Sequence, residues 1–543
     1  MRTDRINFVF NAHLPFVRHP EYPKFLEEDW LFEAINESYI PLLRMMLRLR
    51  DEKVSFRLTF SLSPTLCAML SDVILRERFV LYMNEHIELG NKEVQRLANE
   101  PQFRSLAQAY LNELTANLQF YEKYERDILM VFNDLSNSGN LELITTTATH
   151  AFLPVFKDYP IASNVQIETG VMNHLRTFDK MTEGFWLPEC GYYPGLENLL
   201  VRQNIKWTTL GAQAFVLSED EPKQGNYAPI KCPNGLYCFA RDFNLTSLVW
   251  SSTEGYPCDP CYREFYRDIG YDLPLEYIGP YIHEPNVRVF TGFKYWAITG
   301  KTSNKLVYDA KKASEKVTLH ASNFLYHVKS IGDLVGPSLK NDPVYTVSFD
   351  AELFGHWWYE GVQWLEQVIR KVAAEDGMRL TTPGQIVALG EEVDTLRPAY
   401  STWGEGGYSE VWVDSSSNAK AYKHIFKAIE HMTELADRFS GQKSLKQRFL
   451  TQAARETLLA MASDWPFIIH NHTSEGYAKK RLEGHLQNVN LVYENMCRNA
   501  VNTEWLVNAE KRDNLFSWLD YNIFSSKHLN EDSPIFTTDF SKN

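Results

Sequence analysis

"VYTVSFDAELFG", residues 344–355, runs through a β-favouring, largely apolar stretch and stops at an acid, Asp350. "GFWLPECGYY", residues 184–193, does the same, with Glu189 set between Pro188 and Cys190. A carboxylate at such a place is either solvated where a strand exits into a loop or held partly desolvated for chemistry, and perturbed carboxyls concentrate at active sites. The form recurs outward along the chain, in "INFVFNAHLP", "VSFRLTFSLSP", "LELITTTATHAFLP", "IKWTTLGAQAF" and "SLVWSS", with helix-patterned runs between. Near-continuous apolar strands alternating with helices predict a parallel β/α architecture buried on both faces.

Two regions break the alternation. From residue 64 to 140 the chain turns to long amphipathic segments such as "EVQRLANEPQFRSLAQAYLNEL", which predict a helical insertion. After residue 396 the strands vanish, and "NAKAYKHIFKAIEHMTELADRF" and "SLKQRFLTQAARETLLAMASDW" predict a helical C-terminal region. The expected organisation is a barrel over 1–63 and 141–395, a helical insertion over 64–140, and a helical C-terminal domain over 396–543 that contributes to the substrate cleft.

Composition narrows the function. A chain of 543 residues that is 44% hydrophobic can bury a large core. It has no apolar run of about 18 residues, which argues against a membrane span. The N-terminus enters a strand without a leader-like pattern, so the expected location is the cytoplasm. A formal net charge of −14 lacks the basic footprint that nucleic-acid binding needs. Seven scattered cysteines fit reduced thiols better than a disulfide framework. Cys258 and Cys261 form a C-x-x-C, but a structural zinc needs about four ligands and only Cys232 and Cys238 lie near in sequence. His470 and His472, read as a strand pair, have no obvious third ligand and are expected to be structural. No metal and no cofactor is expected.

In a barrel, functional groups come from the C-terminal ends of several strands. The strand-end groups here are His13, His150, Glu189 and Asp350. Two carboxylates flanked by aromatics are the parts of a glycoside hydrolase. His13 offers an imidazole to sugar hydroxyls. Trp296, Trp403 and Trp412 offer flat faces on which the apolar side of a pyranose packs.

Four signatures in order, "HLP" at 13–15, "GFWLPECGYYPG" at 184–195, "VSFDAELFGHWWYEG" at 347–361 and "WGEGGYSEVWVD" at 403–414, resemble glycoside hydrolase family 57, in particular its glucan branching enzyme subgroup. The resemblance implies an incomplete (β/α)7 barrel, a retaining mechanism and an α-glucan as donor and acceptor. It makes Glu189 the nucleophile and Asp350 the acid/base, which in a retaining enzyme sit about 5–5.5 Å apart. It also implies substrate contacts for Trp403, for Asp464 in "ASDWPF", and for Tyr256 in the loop "SSTEGYPCDPCYREF", although the segment after Asp464 departs from the subgroup. The expected activity is cleavage of α-1,4 linkages with transfer to a 6-hydroxyl. The alternatives are an α-amylase or 4-α-glucanotransferase of the same family and, more remotely, an inactive glucan-binding protein. A metal-dependent deacetylase would need histidine ligands, and no H-x3-H occurs.

Overall fold

A computed structural model describes residues 2–251, 253–283 and 287–530. Its strands are β1 (Asp4–Ala12), β2 (Leu58–Leu62), β3 (Leu141–Thr146), β4 (Gly184–Trp186), β5 (Trp207–Gly211), β6 (Ile230–Lys231), β7 (Tyr237–Arg241), β8 (Val344–Asp350) and β9 (Met378–Thr381). Every residue of β1, β2 and β5 is buried, the pattern of parallel strands covered on both faces. The fold is the incomplete (β/α)7 barrel expected, with a helical insertion and a helical C-terminal region.

The chain divides into two compact units, each discontinuous in sequence. The first comprises residues 1–60, 69–143 and 242–382; the second comprises 61–68, 144–241 and 383–543.

In the first unit β1 runs parallel to both β8 and β9, with Asn11 opposite Asp350 and Asn7 opposite Thr381. This register brings an amide beside the acid at which β8 ends. Most of the insertion belongs here, as the helices Val73–Arg96, Pro101–Lys123 and Ile128–Asn137. Their boundaries follow local chemistry. Asp72 accepts from the backbone N–H of Leu75, Pro101 occupies the first turn of its helix, and Asp127 accepts from Leu129 and Met130. Each device satisfies or removes a backbone donor that a helix start leaves unpaired.

In the second unit β3, β4, β5 and β7 pair successively in parallel, and β6 joins β7 antiparallel as a hairpin. The C-terminal helices Ala419–Arg438, Ser444–Ala460, Asp464–Asn471, Glu475–Cys497 and Thr503–Arg512 belong to this unit.

Two sequence expectations fail locally. "SLVWSS", whose last residue lies outside the described residues, gives no strand over 247–251; residues 247–250 lie in a helix, Phe243–Trp250, whose start is capped by Asp242 accepting from Leu245. Short apolar runs do not distinguish strand from buried helix by periodicity, and here the cap decides. His470 and His472 are likewise not on a strand: they close the helix Asp464–Asn471, where His472 takes a left-handed φ of 55°. His470 pairs with Asp414 at 3.2 Å and His472 with Glu475 at 2.8 Å. None of the seven cysteines is joined in a disulfide. Among the described residues no helix is long and apolar enough to cross a membrane.

Candidate active site

In the second unit, β4 ends at Trp186 and the chain turns immediately through Pro188, Glu189 and Cys190. The turn is tight: the N–H of Cys190 donates to Leu187 and that of Gly191 to Pro188, both at 2.9 Å. Glu189 and Cys190 both take left-handed backbone angles, φ 59° and 50°. His150 just beyond β3 does so too, at φ 54°. Such angles in residues with a Cβ cost on the order of 1–3 kcal/mol each and persist where surroundings impose them, which is common at functional sites. Gly191 answers a different demand, since a Cβ there would stand 2.6 Å from the ring of Phe152.

The Glu189 side chain is held from two directions. Trp403 Nε1 donates to its Oε2 at 2.6 Å, and His150 Nδ1 stands 3.8 Å from its Oε1. The backbone repeats the first link, with the Trp403 N–H donating to the Glu189 carbonyl at 2.9 Å. The Trp403 ring lies 5.1 Å from that of Trp186 and under the Arg241 guanidinium at 5.0 Å. The sequence predicts that Trp403 stacks on sugar; what the structure shows is its nitrogen fixing the carboxylate. Ser463 is tied to His150 through its N–H, at 3.1 Å to the His150 carbonyl, and through its hydroxyl, at 3.1 Å to Nδ1. The next residue, Asp464, opens its helix half-buried. Trp412 is core: it is 1% exposed and stacked on Phe152 at 4.5 Å, so it has no free face for a sugar.

In the first unit Asp350 ends β8, and Asn11 Nδ2 donates to its Oδ1 at 3.1 Å. Glu352 follows two residues later and is buried. Its Oε1 accepts from the backbone N–H of His13 at 3.2 Å and from the Tyr39 hydroxyl. Burial, with the Asp350 charge beside it, pushes the Glu352 carboxyl up to about 8. It is therefore largely neutral at pH 7. His13 is thus fixed by its backbone to the acid beside Asp350. Glu352 and Asn11 were not picked out from the sequence. An acid two residues past Asp350 within "FDAELF" was the available signal.

Tyr256 also lies in the first unit, in a short turn, and is 7% exposed. Its ring stacks on His320 at 4.5 Å and its hydroxyl donates to Asn323 Oδ1 at 2.7 Å, both residues of the helix Ala310–Val335. Burial raises its phenol. Trp296 is half-buried, with the Arg267 guanidinium 5.4 Å from its ring centre and Phe103 edge-on at 5.6 Å.

One cluster among the described residues has the spacing to hold a metal: Glu456, His485 and Asp513, all buried. His485 Nδ1 already meets Glu456 at 2.7 Å, and Asp513 lies 2.8 Å from Arg512 and 3.5 Å from Arg481. Two guanidiniums inside the shell compensate the acids and oppose a cation, so the cluster reads as a structural ion-pair network.

Comparison with known proteins bears on both units. A family model described as glycosyl hydrolase family 57 matches residues 7–400, and one described as the C-terminal region of 1,4-alpha-glucan branching enzyme matches residues 424–524. A 1,4-alpha-glucan branching enzyme of Thermococcus kodakarensis is 28% identical over 94% of this chain and 77% of its own length. Its crystal structure superposes with a TM-score of 0.87, covering 97% of each chain. An α-amylase, AmyC, from Thermotoga maritima superposes with a TM-score of 0.91 at 39% identity, covering 97% of this chain and 99% of that one.

Proposed function

This chain belongs to glycosyl hydrolase family 57, and from that premise we propose that it is a retaining 1,4-alpha-glucan branching enzyme. The observation that carries this reading is the match of residues 424–524 to the branching-enzyme C-terminal region, in a chain whose curated relatives bear that name. Glu189, ionised, attacks the anomeric carbon of the donor glucan while Asp350, protonated, gives its proton to the departing 4-oxygen. The donor's reducing-side fragment leaves and a glycosyl ester forms at Glu189. Asp350, now a carboxylate, takes the proton of an acceptor 6-hydroxyl as that oxygen attacks the same carbon, and Glu189 is released. Each step restores what the other consumed, so the chemistry requires no cofactor.

The geometry within each unit supports these roles. Glu189 projects from a constrained turn with a nitrogen donor aimed at it, which favours a positioned carboxylate. Asp350 stands at a strand end beside a buried neutral acid and an amide donor. His13, Tyr256, Trp296, Trp403 and Asp464 are proposed as substrate-binding residues on the family resemblance. The barrel is assigned to 1–63 and 141–395, the insertion to 64–140, and the acceptor-side region to 396–543. Cysteines kept as thiols suit a reducing, cytoplasmic setting.

The second reading is an amylase, in which water replaces the sugar acceptor. The likeness to the Thermotoga maritima α-amylase favours it. Both readings share the same two carboxylates. Glu189→Gln and Asp350→Asn should each lower the rate at which amylose loses iodine colour by roughly 10³-fold or more, because residues that act as a unit fail as a unit. Circular dichroism melts should stay close to wild type. Near wild-type turnover in either variant would remove that residue from the chemistry.

A further inference from the structure

Aromatic side chains that face solvent in a group are unusual, and the first unit carries one such group. Trp357 is 56% exposed, Tyr266 72% and Tyr271 47%. They are joined through half-buried Phe265 and Phe290. Phe265 stacks on Trp357 with ring centres 4.8 Å apart and meets Tyr266 at 5.1 Å and Phe290 at 5.2 Å; Phe290 meets Tyr271 at 5.1 Å.

We propose that this cluster, with Trp357 at its head, is a glucan-binding platform on which an α-1,4-glucan chain stacks outside the residues that perform the chemistry. The inference rests on the reading that the substrate is an α-glucan. The platform is built rigidly. Buried Lys294 places its Nζ 4.0 Å from the centre of the Phe265 ring and 4.3 Å from that of Phe290. Phe265 thus touches both the Lys294 ammonium and the Trp357 indole, and these contacts hold the ring against which Trp357 stacks. The backbone N–H of Trp357 donates to the Glu352 carbonyl at 3.2 Å, and neighbouring His356 meets Glu37 at 2.5 Å. Trp357 is therefore anchored to the residue that packs beside Asp350. A flat, preordered ring costs little conformational entropy when a sugar settles on it.

The size of the patch separates a sugar chain from a protein partner. An aromatic side chain presents roughly 150–250 Å², so the three exposed rings offer roughly 400 Å² at their observed exposures. A stable protein interface needs about 800 Å² from each partner. A few pyranose rings fit the smaller area, and polar atoms at its edge, such as the Tyr266 and Tyr271 hydroxyls, suit sugar hydroxyls.

The test measures amylose affinity by native gel retardation in an Asp350→Asn background, where the glucan is not consumed. Trp357→Ala should raise the amylose Kd by about threefold to tenfold. Trp357→Phe, which keeps a ring, should stay within about twofold. Tyr266→Ala should give an intermediate rise, and melting curves verify that each variant is folded. If the parent binds amylose and folded Trp357→Ala binds it equally well, the platform is overturned while the functional reading stands. If the parent does not bind amylose, both fall. A concentration-dependent dimer that Trp357→Ala abolishes, with amylose affinity unchanged, would assign the patch to a second copy of the chain and overturn the proposal.

Discussion

Glu352 shows how one residue beside a proposed catalytic acid reports on its surroundings. Its carboxyl is pushed up to about 8 by burial first and by Asp350 second, whereas in an unfolded chain it ionises near its ordinary value of about 4.5. Between those two values the native state holds a proton that the unfolded state has released, so stability at this site falls as pH rises from about 4.5 towards 8. Below the lower value both states are protonated and nothing is lost; above the upper value both are ionised and the loss is complete. Glu352→Gln keeps the acceptor used by His13 and Tyr39 without the ionisation. Its unfolding free energy relative to wild type should therefore grow by a few kcal/mol between pH 5 and 8, at about 1.4 kcal/mol per pH step of one between the two titration points, in urea melts taken at each pH. A constant difference across that range would show that Glu352 titrates normally. Asp350 and Glu189 were legible as acids closing apolar runs. Glu352 was not, because its neutrality comes from burial in the folded chain and from the Asp350 charge, which outweigh the opposing hydrogen bonds from Tyr39 and His13, residues more than 300 positions away in sequence.

Elements were legible where local chemistry fixed them. The helices of the insertion follow from amphipathic spacing and from Asp72, Pro101 and Asp127 at their starts. The strand misread at "SLVWSS" had an equally local remedy in the Asp242 cap. The loop "SSTEGYPCDPCYREF" was harder. Its glycine and prolines predict a turn, but only the packing shows Tyr256 pressed against His320 and bonded to Asn323. The packing of Tyr256 in the fold and its proposed role of shielding the glycosyl enzyme from water can be separated by substitution. Tyr256→Phe loses one hydrogen bond, about 1 kcal/mol, and should keep the ratio of transfer to hydrolysis. Tyr256→Ala removes a buried ring, costing about 3–5 kcal/mol on the scale of other large aromatic truncations, and should shift the ratio severalfold towards hydrolysis. An unchanged ratio in folded Tyr256→Ala would leave Tyr256 as a packing residue alone.

The parallel barrel was legible because β-favouring, largely apolar segments recur between helix-patterned runs, and strands such as Asp4–Ala12 and Trp207–Gly211 are buried along their length. The division into compact units was not, because each unit gathers three separate stretches of chain, and long-range pairing leaves no local mark. Nor does the barrel decide the acceptor, since the chain resembles both branching enzymes and an α-amylase and the same two carboxylates serve either. The deciding measurement is made on one sample of amylose after incubation with the wild-type protein. The product is treated with a debranching enzyme, and new α-1,6 linkages are counted against new reducing ends formed before debranching. Transfer to a 6-hydroxyl conserves the number of glycosidic bonds, so new α-1,6 linkages should outnumber new reducing ends severalfold. Reducing ends without α-1,6 linkages would contradict the branching assignment and make this chain a hydrolase.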